Sequence, residues 1–200
     1  MIAIIDYKVG NLASVKRGFD RVGLDTTLVS EPHDLKDADC VILPGVGAFP
    51  DAMNDLVEKG FVTAIRDFVK TGKPLIGICL GMQLLFDSST EFVTTPGLSL
   101  IPGTVEELDV ELKIPHMGWN DLTIRQDDPS VSNITNGEYV YFVHSFYAKT
   151  DPKYIVADTS YGVSVPAIVR NNNVIGMQFH PEKSGDVGLR LLQTIKEMIR

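Results

Sequence analysis

The sequence predicts an α/β fold: a single-domain three-layer sandwich spanning residues 1–200, with a central, mostly parallel (mixed) sheet and helices on both faces. Three observations predict it. In the first half, apolar runs of strand length alternate with helix-period stretches, the pattern of parallel strands covered on both sides. Past residue 100, strand-like runs follow one another without helices between them, as in meanders or hairpins. No repeat, low-complexity tract or linker divides the chain.

The elements follow in order. "MIAIID" is an apolar strand, and "NLASVKRGFDRVG" is a helix with Leu12, Val15, Phe19 and Val22 on one face and a stop at Gly23. "TTLVS" and "CVILPG" are the second and third strands, the latter ended by Pro44 and Gly45. One or two helices fit between Pro50 and Thr71, stopped at Gly72. "KPLIGI" is the fourth strand, and a helix is predicted from Leu80 to about Asp87. "GTVEEL", "DLTIR", "EYVYFVHSFYA", "YIVADTS", "VPAIVR" and "VIGMQF" are the later strands, with "RNNNV" (170–174) a tight turn. "GLRLLQTIKEMI" closes the chain as an amphipathic helix.

Composition narrows the function. A formal net charge of −8, with thin and scattered positive charge, argues against nucleic acid as a partner. The densest basic patch, Lys8, Lys16, Arg17 and Arg21, reads as a solvated helix face or a docking surface. Only two cysteines, Cys40 and Cys79, fit a reducing compartment. With no secretory signal and no stretch long enough to span a bilayer, a cytoplasmic enzyme is expected.

The chemistry concentrates at "PLIGICLGMQLLF" (74–86), where an apolar strand meets a helix at Cys79. Glycines two places either side suit a sharp turn that thrusts a nucleophile out of the carboxyl edge of a sheet. A helix N-terminus at Cys79 would favour its thiolate. A chance G-x-C-x-G in such a composition has a probability of roughly one or two per cent. On this motif alone, a small buried residue packing a helix onto the sheet is the competing reading.

Such a nucleophile needs a base. Of His33, His116, His144 and His180, the last follows another apolar strand, in "VIGMQFHPEKSG". Pro181 biases His180 towards extended backbone, which sets Glu182 on the same side to orient the imidazole. Alone, His180 reads as a surface histidine with an incidental acidic neighbour; together with the elbow it reads as the base. The Leu80 amide and "LPGVGAF" (43–49) are candidate oxyanion donors. The latter departs from a dinucleotide loop at Pro50, and no phosphate-binding P-loop occurs. With no CxxC, HExxH or tight His/Cys cluster, neither a metal nor a cofactor is expected. Cys40 reads as a buried strand residue.

"GICLGMQ" with a downstream "FHPE" resembles the class I glutamine amidotransferases, and the resemblance covers essentially the whole chain. "DYKVGNLASV", "PHMGWN", "YVYFVHSFYA" and "HPEKSG" look like the branch that supplies imidazole glycerol phosphate synthase with ammonia. Met82 points to the same branch, and Lys8 departs from the small residue many members have there. The resemblance implies a Cys79–His180–Glu182 triad hydrolysing glutamine through a glutamyl thioester, for histidine biosynthesis. It implies that Gly47, Leu80, Gln83, Ser145 and Phe146 hold glutamine. It also implies that Asn11, Met117, Trp119, Asn120 and Lys183 face a cyclase subunit, a (β/α)8 barrel, in a heterodimer. By composition alone Trp119 would be a core residue. A chain of this length leaves no room for a synthase, and free ammonia is mostly protonated at neutral pH, so an attached acceptor enzyme is expected. The alternatives are an anthranilate- or pyridoxal phosphate-type glutaminase, a cysteine peptidase or esterase on a similar fold, and an inactive docking module.

Overall fold

The first strand shows how the layers arise. In Ile2–Ile5 (β1) every residue is buried, with Ala3 and Ile5 in one apolar cluster and Ile2 and Ile4 in another. Successive side chains of a strand point to opposite faces, so both faces must be covered. The structure, a computed structural model, describes residues 1–8 and 10–199. Val9, inside the quoted N-terminal motif, and Arg200 lie outside the described residues.

Helix α1 (Leu12–Arg21) begins at Asn11, whose side chain accepts a hydrogen bond from the Ser14 amide. Strands β2 (Thr26–Val29) and β3 (Cys40–Leu43) follow. Two helices then form, α2 (Phe49–Glu58) and α3 (Phe61–Lys70), parted at Gly60, whose φ of 76° ends the first. Strand β4 (Leu75–Ile78) leads into a four-residue helix, α4 (Leu80–Gln83). The later strands are β5 (Ser88–Ser89), β6 (Thr95–Pro96), β7 (Thr104–Glu107), β8 (His116–Asp121), β9 (Thr123–Ile124) and β10 (Tyr139–His144). They continue with β11 (Phe146–Lys149), β12 (Ile155–Tyr161), β13 (Val163–Asn171) and β14 (Val174–Met177), and α5 (Gly185–Ile199) closes the fold.

The main sheet has the order β2-β1-β3-β4-β14-β13-β12-β9, parallel from β2 to β14 and antiparallel beyond. Helices α2 and α3 pack on one face, and α1 and α5 on the other. The mixed, two-faced sandwich is the fold class read from the sequence. One pairing positions the site. Strand β14 lies parallel to β4 with Met177 opposite Ile78, so the chain leaves both strands at the same carboxyl edge.

Four sequence readings are corrected. The helix expected to reach Asp87 stops at Gln83, because the carbonyls of Leu84, Leu85 and Phe86 accept amides from residues 98–101 instead of continuing it. "EYVYFVHSFYA" is two strands broken at Ser145: β10 pairs with β8, and β11 with β7, in two smaller sheets. "PHMGWN", absent from the strands read in the sequence, forms β8. "DLTIR" keeps only the two ladder residues Thr123 and Ile124.

Candidate active site

At the β4–α4 junction Cys79 has φ 57° and ψ −116°, a conformation that side chains with a Cβ rarely adopt. Its flanking glycines are required by close backbone approach. A Cβ on Gly77 would lie 2.5 Å from the Gly81 carbonyl oxygen, and one on Gly81 would lie 1.8 Å from that of Leu43. The turn is thereby clamped between β3 and β4 and aims the thiol into a cavity of about 330 Å³, which His180, Glu91, Val143 and Ser145 also line. The Cys79 Sγ sits 3.9 Å from the Val143 carbonyl oxygen. Because α4 has a single turn, it contributes local amides rather than the appreciable macrodipole expected from a longer helix. Leu80, its first residue, borders the cavity, and Val46 and Gly47 of the loop after β3 face it.

His180 arrives from β14. Its backbone is extended (φ −102°, ψ 97°), and Nδ1–H donates to the Glu182 Oε1 at 2.8 Å. The pair meets through the single 3₁₀ turn Pro181–Lys183 rather than along an extended segment. Both side chains are almost fully buried, 6% and 2% exposed. Burial by itself opposes the imidazolium, but hydrogen bonding and charge from Cys79 and Glu182 outweigh it and raise the His180 pKa from 6.5 to about 9. The structure therefore brings Cys79, His180 and Glu182 into one constellation.

The remaining predicted residues divide into two groups. Gln83, Ser145 and Phe146 line the cavity. Gln83 Nε2 donates to the Phe146 carbonyl at 3.0 Å and to Gln178 Oε1 at 3.1 Å, which commits one amide hydrogen to holding the 145–146 segment and the other to Gln178. The other group lies outside the cavity. Met117 (61% exposed) and Trp119 (55%) project from β8, with the Trp119 ring edge-on to Tyr141. Lys183 is exposed beside the triad turn, and Asn11 lines a narrow cleft with His180 and Glu182.

Two residues in the site escaped the sequence reading. Glu91, in the loop between β5 and β6, lines the cavity and accepts the Phe49 amide at 2.8 Å at the start of α2. Burial raises its pKa. Tyr7 is fully buried and donates its hydroxyl to the Pro44 carbonyl at 2.7 Å, pinning the loop that carries Val46 and Gly47. Glu91 lies in no motif, and Tyr7 lies in "DYKVGNLASV", which gave no sign of a role in the site; the tertiary fold brings both there.

Residues 3–194 match the family described as Glutamine amidotransferase class-I. This chain belongs to the class I glutamine amidotransferases. Within that family it is HisH-like: it is 48% identical to the imidazole glycerol phosphate synthase subunit HisH of Listeria monocytogenes serotype 4b (strain CLIP80459), over 100% of this chain and 97% of that one. It is also 48% identical to the subunit of the same name from Caldanaerobacter subterraneus subsp. tengcongensis, over 100% and 99%. Among solved structures, PurLQS from Thermotoga maritima superposes with a TM-score of 0.77 at 21% identity, covering 100% of this amidotransferase and 98% of that chain. A crystal structure titled as a glutamine amidotransferase superposes with a TM-score of 0.77 at 20% identity, covering 98% and 100%. At such identities these structures speak for the shared fold alone.

Proposed function

We infer that the chain hydrolyses glutamine to glutamate and ammonia, and that Cys79, His180 and Glu182 carry the reaction. One observation carries this reading: a strained Cys79 at the mouth of β4 shares a cavity with a buried His180–Glu182 pair delivered by the adjacent parallel strand. Sγ attacks the side-chain amide carbon of glutamine, and the carbonyl electrons move to oxygen. The Leu80 amide and the loop bearing Val46 and Gly47 receive that oxyanion, a role supported by their lining the same cavity as Cys79. His180 gives its proton to the departing nitrogen, the C–N bond breaks, ammonia leaves and a glutamyl thioester remains. His180 then takes a proton from water, whose oxygen attacks the thioester; the C–S bond breaks, releasing glutamate and regenerating Cys79. Throughout, Glu182 accepts from Nδ1, so Nε2 is the nitrogen that exchanges the proton. Gly47, Ser145 and Phe146 hold the amino and carboxylate groups of glutamine, with Gln83 bracing the segment. The Glu91 carboxylate complements the α-ammonium.

The ammonia feeds a cyclase subunit, a (β/α)8 barrel of imidazole glycerol phosphate synthase, in a cytoplasmic heterodimer. Exposed Met117 and Trp119, with Asn11 and Lys183, form the face that meets it, and Asn120, whose amide turns to Ser160 and His116, lies near that face on the other side of β8. Exposed apolar side chains of this size, grouped on one strand, are what a protein interface buries. The test is glutamate release from glutamine, with and without the cyclase subunit and its nucleotide ligand. Release should depend on the cyclase and vanish in Cys79→Ser. Stimulation by an anthranilate synthase instead would overturn the partner assignment, and turnover in Cys79→Ser would overturn the mechanism.

A further inference from the structure

Beside the triad lies a pair of buried imidazoles that the reaction does not use, one of which, His144, forms part of the cavity wall. His116 on β8 and His144 on β10 are directly opposed in the antiparallel ladder, 2% and 6% exposed. His116 Nδ1 lies 2.9 Å from His144 Nε2, His144 Nδ1 lies 2.8 Å from the Phe146 carbonyl oxygen, and Asn120 Nδ2 lies 3.3 Å from His116 Nε2. The His116 ring is stacked between Phe142 and Tyr161, with centroids 4.7 and 3.9 Å away and both interplanar angles 19°.

The proton positions in this chain follow from its two ends independently. A carbonyl oxygen only accepts, so His144 must carry its proton on Nδ1, which leaves Nε2 an acceptor and makes His116 Nδ1 the donor. At the other end, Asn120 Nδ2 donates to the Ser160 carbonyl at 3.0 Å, while its Oδ1 accepts from the Asp121 amide at 3.0 Å. The side-chain amide is thus oriented, and His116 Nε2 must accept from it. Both routes give one direction: Asn120 to His116 to His144 to Phe146. A proton added to either ring would set two donors against each other, and burial lowers both histidine pKa values to about 4.

The far end is where the chain matters. The Phe146 carbonyl also accepts from Gln83, so two side chains fix the 145–146 segment at the break between β10 and β11. The near end is on β8, where His116 and Asn120 alternate with the outward-facing Met117 and Trp119. We propose that His116 and His144 are positioning residues: a one-directional hydrogen-bond relay that ties the glutamine-holding segment Ser145–Phe146 to the strand carrying the exposed Met117–Trp119 face. The inference rests on the glutaminase reading for its kinetic consequence, but not for its tautomers.

Two measurements test it on the full chain. In protein labelled with ¹⁵N-histidine, two-bond ¹H–¹⁵N spectra should show both His116 and His144 as Nδ1–H tautomers at pH 7; an Nε2–H signature for either overturns the relay, whether or not the protein hydrolyses glutamine. In glutaminase assays with the cyclase subunit and its nucleotide ligand present, His116→Phe keeps the stacked ring and removes the donor. It should raise KM for glutamine about tenfold, the scale of one hydrogen bond, while iodoacetamide alkylates Cys79 at the wild-type rate. His116→Asn, whose amide nitrogen can take the place of Nδ1–H, should recover most of that loss. Wild-type KM in His116→Phe, or equal KM in the two variants, overturns the positioning role. If wild type and Cys79→Ser release glutamate equally, the glutaminase reading fails, and the tautomer spectra still decide the relay.

Discussion

Replacing Glu182 with glutamine isolates the carboxylate that acts on His180. The rise of the His180 pKa from 6.5 to about 9 corresponds to roughly 3 kcal/mol in favour of the protonated ring in the folded state. A histidine raised on folding stabilises the protein fully below pH 6.5, and that contribution is lost as pH climbs through about 9. Burial opposes the charge, while Cys79 and Glu182 favour it. Glu182→Gln removes one of the two favourable partners and leaves burial in place, so the imidazolium should titrate well below about 9. The assay has two arms. The ring resonances of His180 are followed against pH, and urea unfolding is measured at pH 6 and pH 9.5 for both proteins. Wild type should lose up to roughly 3 kcal/mol across that interval from this group, and the variant distinctly less. A His180 midpoint near 9 in Glu182→Gln, or identical losses in the two proteins, would refute the account of what holds the proton.

Other perturbations have equally definite outcomes. Gly81→Ala sets a Cβ 1.8 Å from the Leu43 carbonyl and should cost about 3 kcal/mol or more, read as a Tm lowered by roughly 6–12 °C together with loss of glutaminase activity. At the φ of 57° held by Cys79, Cys79→Gly should unfold later in urea than Cys79→Ala by about 1 kcal/mol, although both are inactive. Glu91→Gln retains an oxygen to accept the Phe49 amide but lacks the charge, so KM for glutamine should rise with little change in Tm. Tyr7→Phe removes the donor to the Pro44 carbonyl and should cost about 1 kcal/mol, with kcat falling more than KM rises if the loop serves the oxyanion.

Much of this was legible in the letters. The sheet's parallel half was readable because β1, β3 and β4 are buried on both sides, so their runs are apolar without interruption. The elbow was readable because only glycine tolerates the approach of Leu43 and of the helix's own backbone at residues 77 and 81. What escaped depends on contacts distant in sequence. The length of α4 is decided by amides from residues 98–101, which no local window contains. Strand β8 holds polar residues that are buried only through cross-strand partners, such as His116 against His144. The split at Ser145 is invisible because both halves are equally strand-like; the backbone simply changes sheets. Glu91 and Tyr7 carry no periodic signal, and their importance comes from where α2 and the loop after β3 come to rest.

The place of β14 bears on how the molecule is made. It follows every other strand in the chain, yet it lies between β4 and β13 in the middle of the main sheet. Until it has left the ribosome, the two halves of the sheet have no shared strand to join them, so the assembly that brings the whole together is a late, long-range event. His180 emerges directly behind that strand. A nascent chain can therefore expose its reactive sulfur while still lacking the base that would let it consume glutamine, and activity waits for the keystone to be set.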